Sequence, residues 1–272
     1  MAEIVFYTYK NHLNKTPVYR IGKLLNMFEK NLLITHHSLL NPLVWLEMIN
    51  SRCLVMTASS GFPEKFLQRF YKLMKKPIVQ IQHGEGLRFT KTTLKKYDKI
   101  HWCVYGDGIR NEMINKGFPS EQVHVTGMLH WDELHKYVGQ KRVPTIKTLL
   151  LMQPLVELNI WESWQLDEFL NGLTPDVEIQ LHPLNNPKLF GSFRTHTTNL
   201  HENILKSEEV IGIYSTAMYE AALLGKKVTH IDPYFEHDFQ KNHFTKDNVS
   251  KMFREVDGKA HKRVAGIIRG LI

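Results

Sequence analysis

Short apolar runs alternate with amphipathic stretches along most of the chain. The runs are rich in β-branched and aromatic residues and are followed by turn residues, which is the pattern of buried strands. Between them, apolar residues such as Ile21 and Leu25 recur at helical spacing. This alternation predicts mostly parallel sheets with helices on both faces. The predicted strands are Ile4–Tyr9, Leu32–Thr35, Cys53–Thr57, Pro77–Gln82, Lys99–Tyr105, Val123–Thr126, Thr148–Met152, Val177–Leu181, Glu209–Ile213 and Lys227–Ile231.

A polar segment that ends in proline, Gly139–Pro144, interrupts the alternation before it restarts. A chain of 272 residues is long enough for two domains. We therefore expect an N-terminal Rossmann-like domain at 1–140 and a C-terminal one at 146–272, the second including the C-terminal helices. Because ligands of such sheets bind outside the carboxyl ends of the strands, a ligand cleft between the two domains is expected.

Composition narrows the possible partners. The formal net charge is +8, from 35 Lys and Arg against 27 Asp and Glu, which favours an anionic partner. The basic residues are dispersed and show no nucleic-acid-binding signature, so we expect no nucleic acid. No apolar run approaches the length of a membrane span, and the first residues lack a signal-peptide pattern. Cys53 and Cys103 lie in predicted strands and are expected to be reduced core residues.

The strand Pro77–Gln82 leads directly into the turn Gln82-His83-Gly84-Glu85-Gly86. Glycine allows the backbone to approach a ligand closely, and histidine and glutamate can both move a proton near neutral pH. The alternative is a tight turn with two solvated polar side chains. We treat His83 and Glu85 as candidate catalytic residues.

A second candidate site follows the predicted strand Glu209–Ile213, where Ser215 and Thr216 precede a helix that Gly225 closes. Two hydroxyl groups and the backbone N–H groups of a helix N-terminus can hold an anion. Glu220 lies in the first turns of the same helix. Plain N-capping without a ligand is the alternative reading, but the position at the carboxyl end of a strand favours a site.

The pair His182-Pro183 has the same location after the predicted strand Val177–Leu181. Pro183 biases His182 towards an extended conformation, so that the imidazole can project from the end of the strand. From there it could donate a hydrogen bond to a phosphate or to a leaving-group oxygen. A surface histidine without a ligand is the alternative.

These motifs resemble those of the bacterial capsule and lipopolysaccharide β-Kdo transferases. The stretch from Ile213 to Val228 is similar to their Ser-rich turn and the helix that follows it. His182-Pro183 is similar to the His-Pro motif that they share with several bacterial sialyltransferases. The segment Gly84–Arg88 resembles their acidic-Gly-Phe/Leu-Arg motif, although that family usually has a second acidic residue where Gly84 stands.

A second resemblance is to the teichoic-acid CDP-glycerol glycerophosphotransferases. Their Trp/Gln-His-Gly turn is similar to Gln82-His83-Gly84, and their Thr/Ser-Gly-x-x-Arg-x-Asp turn is similar to Thr126–Asp132, with His130 at the arginine position. Both families have the two-domain GT-B architecture and use cytidine-nucleotide donors. The resemblances imply an α/β protein of GT-B fold that acts as a glycosyltransferase. The absence of an Asp-x-Asp triplet agrees with metal independence.

The resemblance also assigns the donor-binding residues. The expected donor is a nucleotide sugar, with CMP-Kdo or CMP-sialic acid as the best guess. Ser215 and Thr216 would hold its phosphate, His182 beside Pro183 would ease the departure of CMP, and Glu220 would bind the ribose hydroxyls.

The acceptor residues follow in the same way. Glu85 would deprotonate the acceptor hydroxyl, with His83 as the alternative base. Arg88 would orient an anionic group of the acceptor by bidentate contact, and Gly84 and Gly86 would allow its close approach.

The expected acceptor is an anionic glycan or glycolipid of a bacterial capsule or lipopolysaccharide. The protein is expected to be cytoplasmic, with peripheral contact at the inner face of the membrane. The segment Lys262–Arg269 could contribute to that contact as an amphipathic helix, or could be an ordinary packing helix. No metal site or cofactor is expected. A CDP-glycerol-type glycerophosphotransferase, a UDP-sugar epimerase and a non-catalytic nucleotide-binding module are the alternatives.

Overall fold

The computed structural model describes residues 2–7, 17–57, 62–82, 100–213, 215–231, 244–254 and 256–272. The chain divides into two compact units. Unit 1 consists of Met1–His135 together with Lys251–Ile272, and unit 2 is Lys136–Ser250.

Within the described part of unit 1, strands form a six-stranded parallel sheet in the order β2-β1-β3-β4-β5-β6. The chain starts at β1 inside the sheet and builds outwards on both sides, which is the doubly wound arrangement. The strands are β1 (Ile4–Tyr7), β2 (Asn31–Ile34), β3 (Cys53–Met56), β4 (Ile78–Ile81), β5 (Ile100–Val104) and β6 (Val123–Val125).

Helices connect these strands. Helix α2 shows how the sequence sets a boundary: the Asn41 side chain accepts a hydrogen bond from the N–H of Leu43, and Pro42 occupies the first helical position. The described helices of unit 1 are α1 (Pro17–Leu25), α2 (Pro42–Asn50), α3 (Phe62–Leu73), α4 (Asp107–Asn115), α5 (Trp131–Leu134) and α10 (Ala260–Leu271).

The C-terminal helix α10 belongs to unit 1. Its residues Val264, Ala265 and Ile268 are fully buried in the same hydrophobic cluster as Phe6 of β1 and Leu24 of α1. The sequence prediction had placed the C-terminal helices with the second domain. An amphipathic pattern shows which face of a helix is buried but not against which sheet. Of the two alternatives for Lys262–Arg269, the structure shows the packing helix.

Within the described part of unit 2, a five-stranded parallel sheet has the order β11-β10-β7-β8-β9. Its strands are β7 (Ile146–Leu151), β8 (Val177–Gln180), β9 (Thr195–His196), β10 (Ser207–Gly212) and β11 (Lys227–His230). Its helices are α6 (Ser163–Asn171), α7 (Leu200–Lys206) and α8 (Thr216–Leu223), and α9 (Lys246–Met252) crosses the sequence boundary between the units.

The α/β fold class with parallel sheets is confirmed, and the predicted strands lie within a few residues of the observed ones. The short strand β9 and helix α7 were not predicted. The C-terminal helices α9 and α10 are separated by Gly258, which has a positive φ of 70°.

The two cysteines are buried in strands, as predicted, and neither forms a disulfide. Burial raises the pKa of Cys53 to about 12 and also raises that of Cys103. Both thiols are therefore inert core residues. No described helix is long and apolar enough to cross a membrane.

Candidate functional site

The sheet of unit 2 has one point where the direction of strand addition reverses. The chain runs from β7 to β8 and β9 on one side and then crosses to β10 and β11 on the other. Ligands of open α/β sheets bind at the carboxyl ends of the strands at such a point. The turns that follow β8 and β10 flank the end of β7. Because neighbouring strands lie about 4.8 Å apart, these turns begin about 10 Å from each other.

The turn after β10 carries Ser215 and Thr216. Ser215 is the N-cap of α8 in extended conformation, and its Oγ accepts a hydrogen bond from the N–H of Ala217 at 3.3 Å. Thr216 is the first residue of the helix. The predicted cap is therefore present, and the helix begins at the carboxyl end of a strand with its positive dipole end there. An anion role for these groups stays a prediction.

Close packing fixes the position of α8. Ala221 and Ala222 are fully buried, and a Cβ at Gly212 of β10 would lie 2.9 Å from Cγ of Met218. Gly225, at a φ of 81°, ends the helix as predicted: its N–H donates to Ala222 O at 2.9 Å. Small residues thus let the helix and its N-terminus approach the sheet.

The turn after β8 carries His182, which is half-buried. Its Nδ1 accepts a hydrogen bond from the N–H of Leu184 at 3.2 Å. In the neutral imidazole, the proton then resides on Nε2, so that Nε2 is the donor. A role for this Nε2 donor towards a phosphate or a leaving-group oxygen stays a prediction.

Asn185 and Glu157 hold the His182 turn, and neither was predicted to have a role. The Asn185 side chain accepts from the N–H of His182 at 2.8 Å and donates to Gln153 O and to Glu157, both at 3.2 Å. Glu157 also accepts from the N–H of Asn186 at 2.6 Å. An Asn three residues after the His of a His-Pro pair is a turn signal that could have indicated this bond.

Glu220 is buried and forms a pair with a histidine. Its Oε2 lies 2.8 Å from Nε2 of His201 in α7, and the two side chains are 7% and 20% exposed. The Tyr137 ring packs against His201 with 5.0 Å between centroids. No sequence signal indicates His201, because α7 is not among the predicted helices. A ribose role for Glu220 stays a prediction.

The predicted acceptor residues lie outside the described residues. They are His83, Gly84, Glu85, Gly86 and Arg88. The strand that leads to them is described: the Gln82 side chain accepts from the N–H of Tyr105 at 3.1 Å, which ties the end of β4 to the end of β5. The roles of the five residues stay predictions.

The Thr126–Asp132 segment has a structural role in unit 1. Asp132 accepts hydrogen bonds from the N–H groups of Ala260 and His261 at 2.8 and 3.0 Å, and from Nδ1 of His261 at 2.5 Å. Arg263 donates from Nε to Thr126 O at 2.6 Å. The carboxylate thus caps the first turn of α10, where a negative charge is favourable.

The pKa values of Asp132 and of the nearby Asp257 are lowered by their hydrogen bonds. Burial raises the pKa of Asp132, but the hydrogen bonds from His261 and the backbone outweigh it and hold the pKa below its ordinary value. Asp257 forms a bidentate pair with Arg263 at 2.7 and 3.0 Å, and this pair lowers the pKa of Asp257 to about 2. Both carboxylates are therefore charged wherever the protein is folded near neutral pH.

A metal site is not evident in the described part of the chain, where no three His, Cys, Asp or Glu side chains are arranged to hold an ion. Metal independence stays a prediction.

No protein-family model matches the chain. No curated protein matches it in sequence. Several solved structures match it in fold. The wall teichoic acid polymerase TagF has a TM-score of 0.57 at 12% identity, over 98% of this chain and 89% of TagF. A histidine variant of TagF soaked with CDPG has a TM-score of 0.55 at 13% identity, over 98% and 88%.

Two further structures match over nearly their whole length. MurG from Acinetobacter baumannii has a TM-score of 0.51 at 11% identity, over 98% of this chain and 99% of MurG. UDP-GlcNAc 2-epimerase from Methanocaldococcus jannaschii has a TM-score of 0.54 at 10% identity, over 98% and 99%. The chain has the fold of the GT-B proteins. At these identities the likeness shows the fold alone.

Proposed function

We propose that this protein is a glycosyltransferase-type enzyme that takes a group from a cytidine-nucleotide donor and transfers it to a hydroxyl of a bacterial surface glycan. The observation that carries the proposal is the pair of turns at the reversal point of the unit 2 sheet. One turn presents an imidazole donor at His182, and the other presents the capped helix N-terminus at Ser215. The fold likeness to TagF and MurG supports this class of activity.

The donor phosphate is proposed to bind at the N-terminus of α8. The hydroxyl of Thr216 and backbone N–H groups of the first turn would donate to the phosphate oxygens, and the helix dipole would add about 0.3–1 kcal/mol. His182 would donate from Nε2 to the oxygen that leaves with CMP. A hydrogen bond that strengthens as charge develops on that oxygen lowers the barrier to departure.

The ribose is proposed to bind near Glu220. The carboxylate accepts hydrogen bonds well, and its pairing with His201 fixes its orientation. Because the Glu220 side chain is only 7% exposed, the His201 imidazole, which is 20% exposed, is a second candidate for the same hydroxyls.

The acceptor hydroxyl is proposed to be deprotonated by Glu85, with His83 as the alternative base. General-base assistance of this kind contributes roughly 10²–10⁴ in rate. Arg88 would hold an anionic group of the acceptor. The acceptor that we propose is an anionic glycolipid, which would place the enzyme at a membrane surface, and the anionic character agrees with the net charge of +8.

Two donor classes share this chemistry. With a CMP-linked sugar such as CMP-Kdo or CMP-sialic acid, the acceptor oxygen attacks the anomeric carbon and the bond from that carbon to the phosphate oxygen breaks. With CDP-glycerol, the acceptor oxygen attacks the distal phosphorus and the bridging oxygen leaves. CMP is the leaving group in both reactions. The fold likeness to the TagF variant soaked with CDPG supports CDP-glycerol as the alternative donor.

Thermal shift with CMP, CDP, UMP, UDP and GDP tests the donor site. We expect a cytidine-specific rise in Tm whose size follows the ligand excess over Kd. His182→Asn should reduce it, because asparagine can keep the acceptor for the N–H of Leu184 while it removes the Nε2 donor. Thr216→Val should also reduce it, and the exposed Asp167→Asn should leave it unchanged. An equal rise with UDP or GDP, or no rise with any nucleotide, would overturn the donor assignment.

Release of CMP from CMP-Kdo, CMP-sialic acid and CDP-glycerol then separates the donor classes. Glu85→Gln should abolish transfer and leave the cytidine-dependent rise in Tm intact. Retained transfer in Glu85→Gln would move the base role to His83.

A further inference from the structure

Unit 1 carries an exposed apolar surface on α2 and α3. Four aliphatic side chains follow one another at three-residue intervals on α2 and the turn before it, and one aromatic and one aliphatic side chain lie on α3. They are Leu40, Leu43, Leu46, Ile49, Phe66 and Leu73, and their exposure runs from 42% at Phe66 to 85% at Leu40. We call these six residues the α2–α3 face. Contiguous apolar exposure of this kind on a folded unit marks an interaction site.

The two helices form one continuous surface. The Trp45 ring of α2 packs edge-on against Phe66 and Phe70 of α3, with centroids 5.6 and 5.3 Å apart. At the other end of α2, the Lys76 ammonium donates to Ile49 O. Helices α2 and α3 therefore pack side by side, and each carries exposed apolar side chains.

Basic side chains flank this face. From His36 to Lys76 the chain has six basic residues against two acidic ones. Of the acidic pair, Glu64 is buried and Glu47 accepts a hydrogen bond from the N–H of Ala2 at 2.6 Å. The exposed cations of α3 and its end are Lys65, Arg69 and Lys75. Arg69 is three residues after Phe66 and four before Leu73, so all three share one helix face.

We propose that the α2–α3 face binds the surface of an anionic lipid bilayer. Apolar side chains of a surface helix insert at the boundary of headgroups and acyl chains, while flanking Lys and Arg contact lipid phosphates. A second copy of the chain fits the face less well, because both copies would bring the same excess of positive charge to the contact. This surface would bring the enzyme to the membrane-borne acceptor of the proposed function, on which the assignment rests.

Co-flotation with vesicles of phosphatidylcholine, with and without phosphatidylglycerol, tests the proposal. We expect the full chain to bind only the vesicles that contain phosphatidylglycerol, and to bind them less as salt increases. The triple variant Leu43→Gln, Leu46→Gln, Ile49→Gln should bind at least tenfold more weakly, because it removes the inserted groups. Lys65→Glu and Arg69→Glu should each reduce binding about fivefold.

A matched control comes from unit 2, where Leu158 and Trp164 are 53% and 63% exposed. The double variant Leu158→Gln, Trp164→Gln should bind vesicles as the unaltered chain does. Equal loss in this control, or full binding by the triple variant, would overturn the assignment of the face. The assignment would also be overturned if the unaltered chain bound no vesicles and formed a dimer in sedimentation velocity, and if the triple substitution dissociated that dimer.

The cytidine-dependent rise in Tm keeps the two proposals separate. A triple variant that retains this rise is folded, and its loss of vesicle binding then belongs to the face. Vesicle binding without any nucleotide effect would support the membrane surface and contradict the donor site. A cytidine-dependent rise in Tm without vesicle binding would support the donor site and contradict the membrane surface.

Discussion

At the scale of single residues, local chemistry sets both ends of helix α8. The Ser215 cap and the Gly225 end of α8 follow from residue preferences at helix termini, and both are present. His201 could not be predicted as the partner of Glu220, because the pair joins two helices and only tertiary structure brings them together.

Gly212 is the residue whose replacement should most directly disturb the helix of the candidate donor site. In Gly212→Ala the new Cβ would lie 2.9 Å from Cγ and 3.0 Å from Sδ of the fully buried Met218. We expect a loss of about 1–3 kcal/mol in the free energy of unfolding, measured by urea denaturation.

Gly266→Ala is the matched control for this substitution. Gly266 is exposed inside helix α10, and a Cβ there would meet nothing within 4 Å. Alanine is the better helix former by about 1 kcal/mol, so this variant should be as stable as the unaltered chain or more so. Equal destabilisation by both substitutions would show that the contact with Met218 is not the cause.

At the scale of elements, α10 shows the limit of sequence patterns. Its amphipathic pattern predicts a helix, and the structure has one. Its place on unit 1 depends on Asp132, which lies 128 residues before Ala260 in the sequence and caps the first turn of the helix. The Thr126–Asp132 segment, read from the sequence as part of a functional motif, thus holds the C-terminal helix on unit 1.

This cap should make the protein sensitive to acid. The pKa of Asp132 is lowered in the folded state, and that of Asp257 is about 2. A carboxyl group with a depressed folded pKa stabilises the fold above its unfolded pKa of about 3.9, and that contribution is lost as pH falls through the folded value. We expect the urea midpoint to fall as pH decreases from about 4 towards 2.

Asp132→Asn should lower stability near neutral pH by about 1–2 kcal/mol and flatten the acid dependence, because it weakens the cap and removes the titrating group. Asp167→Asn, at an exposed position in α6, should change neither. A full acid dependence in Asp132→Asn would contradict the role given to this carboxylate.

At the scale of the whole molecule, the alternation of strands and helices is sufficient to predict the α/β class. The doubly wound order of each sheet also brings together residues that are far apart in sequence. In unit 2, His182 and Ser215 are 33 positions apart in the numbering, yet both follow strands that flank β7. The return of the C-terminal helix to unit 1 could not be predicted, because it depends on contacts between the two ends of the chain.

If a cytidine nucleotide binds at the carboxyl ends of β8 and β10, it will protect the backbone amides of the turns that follow these strands. Hydrogen exchange of the full chain, with and without saturating CDP, measures this protection. We predict slower amide exchange in peptides that cover His182–Asn186 and Ser215–Ala222, and no such protection with GDP. Unchanged exchange in both segments at saturating CDP, or equal protection by GDP, would show that no cytidine-specific site lies at these strand ends.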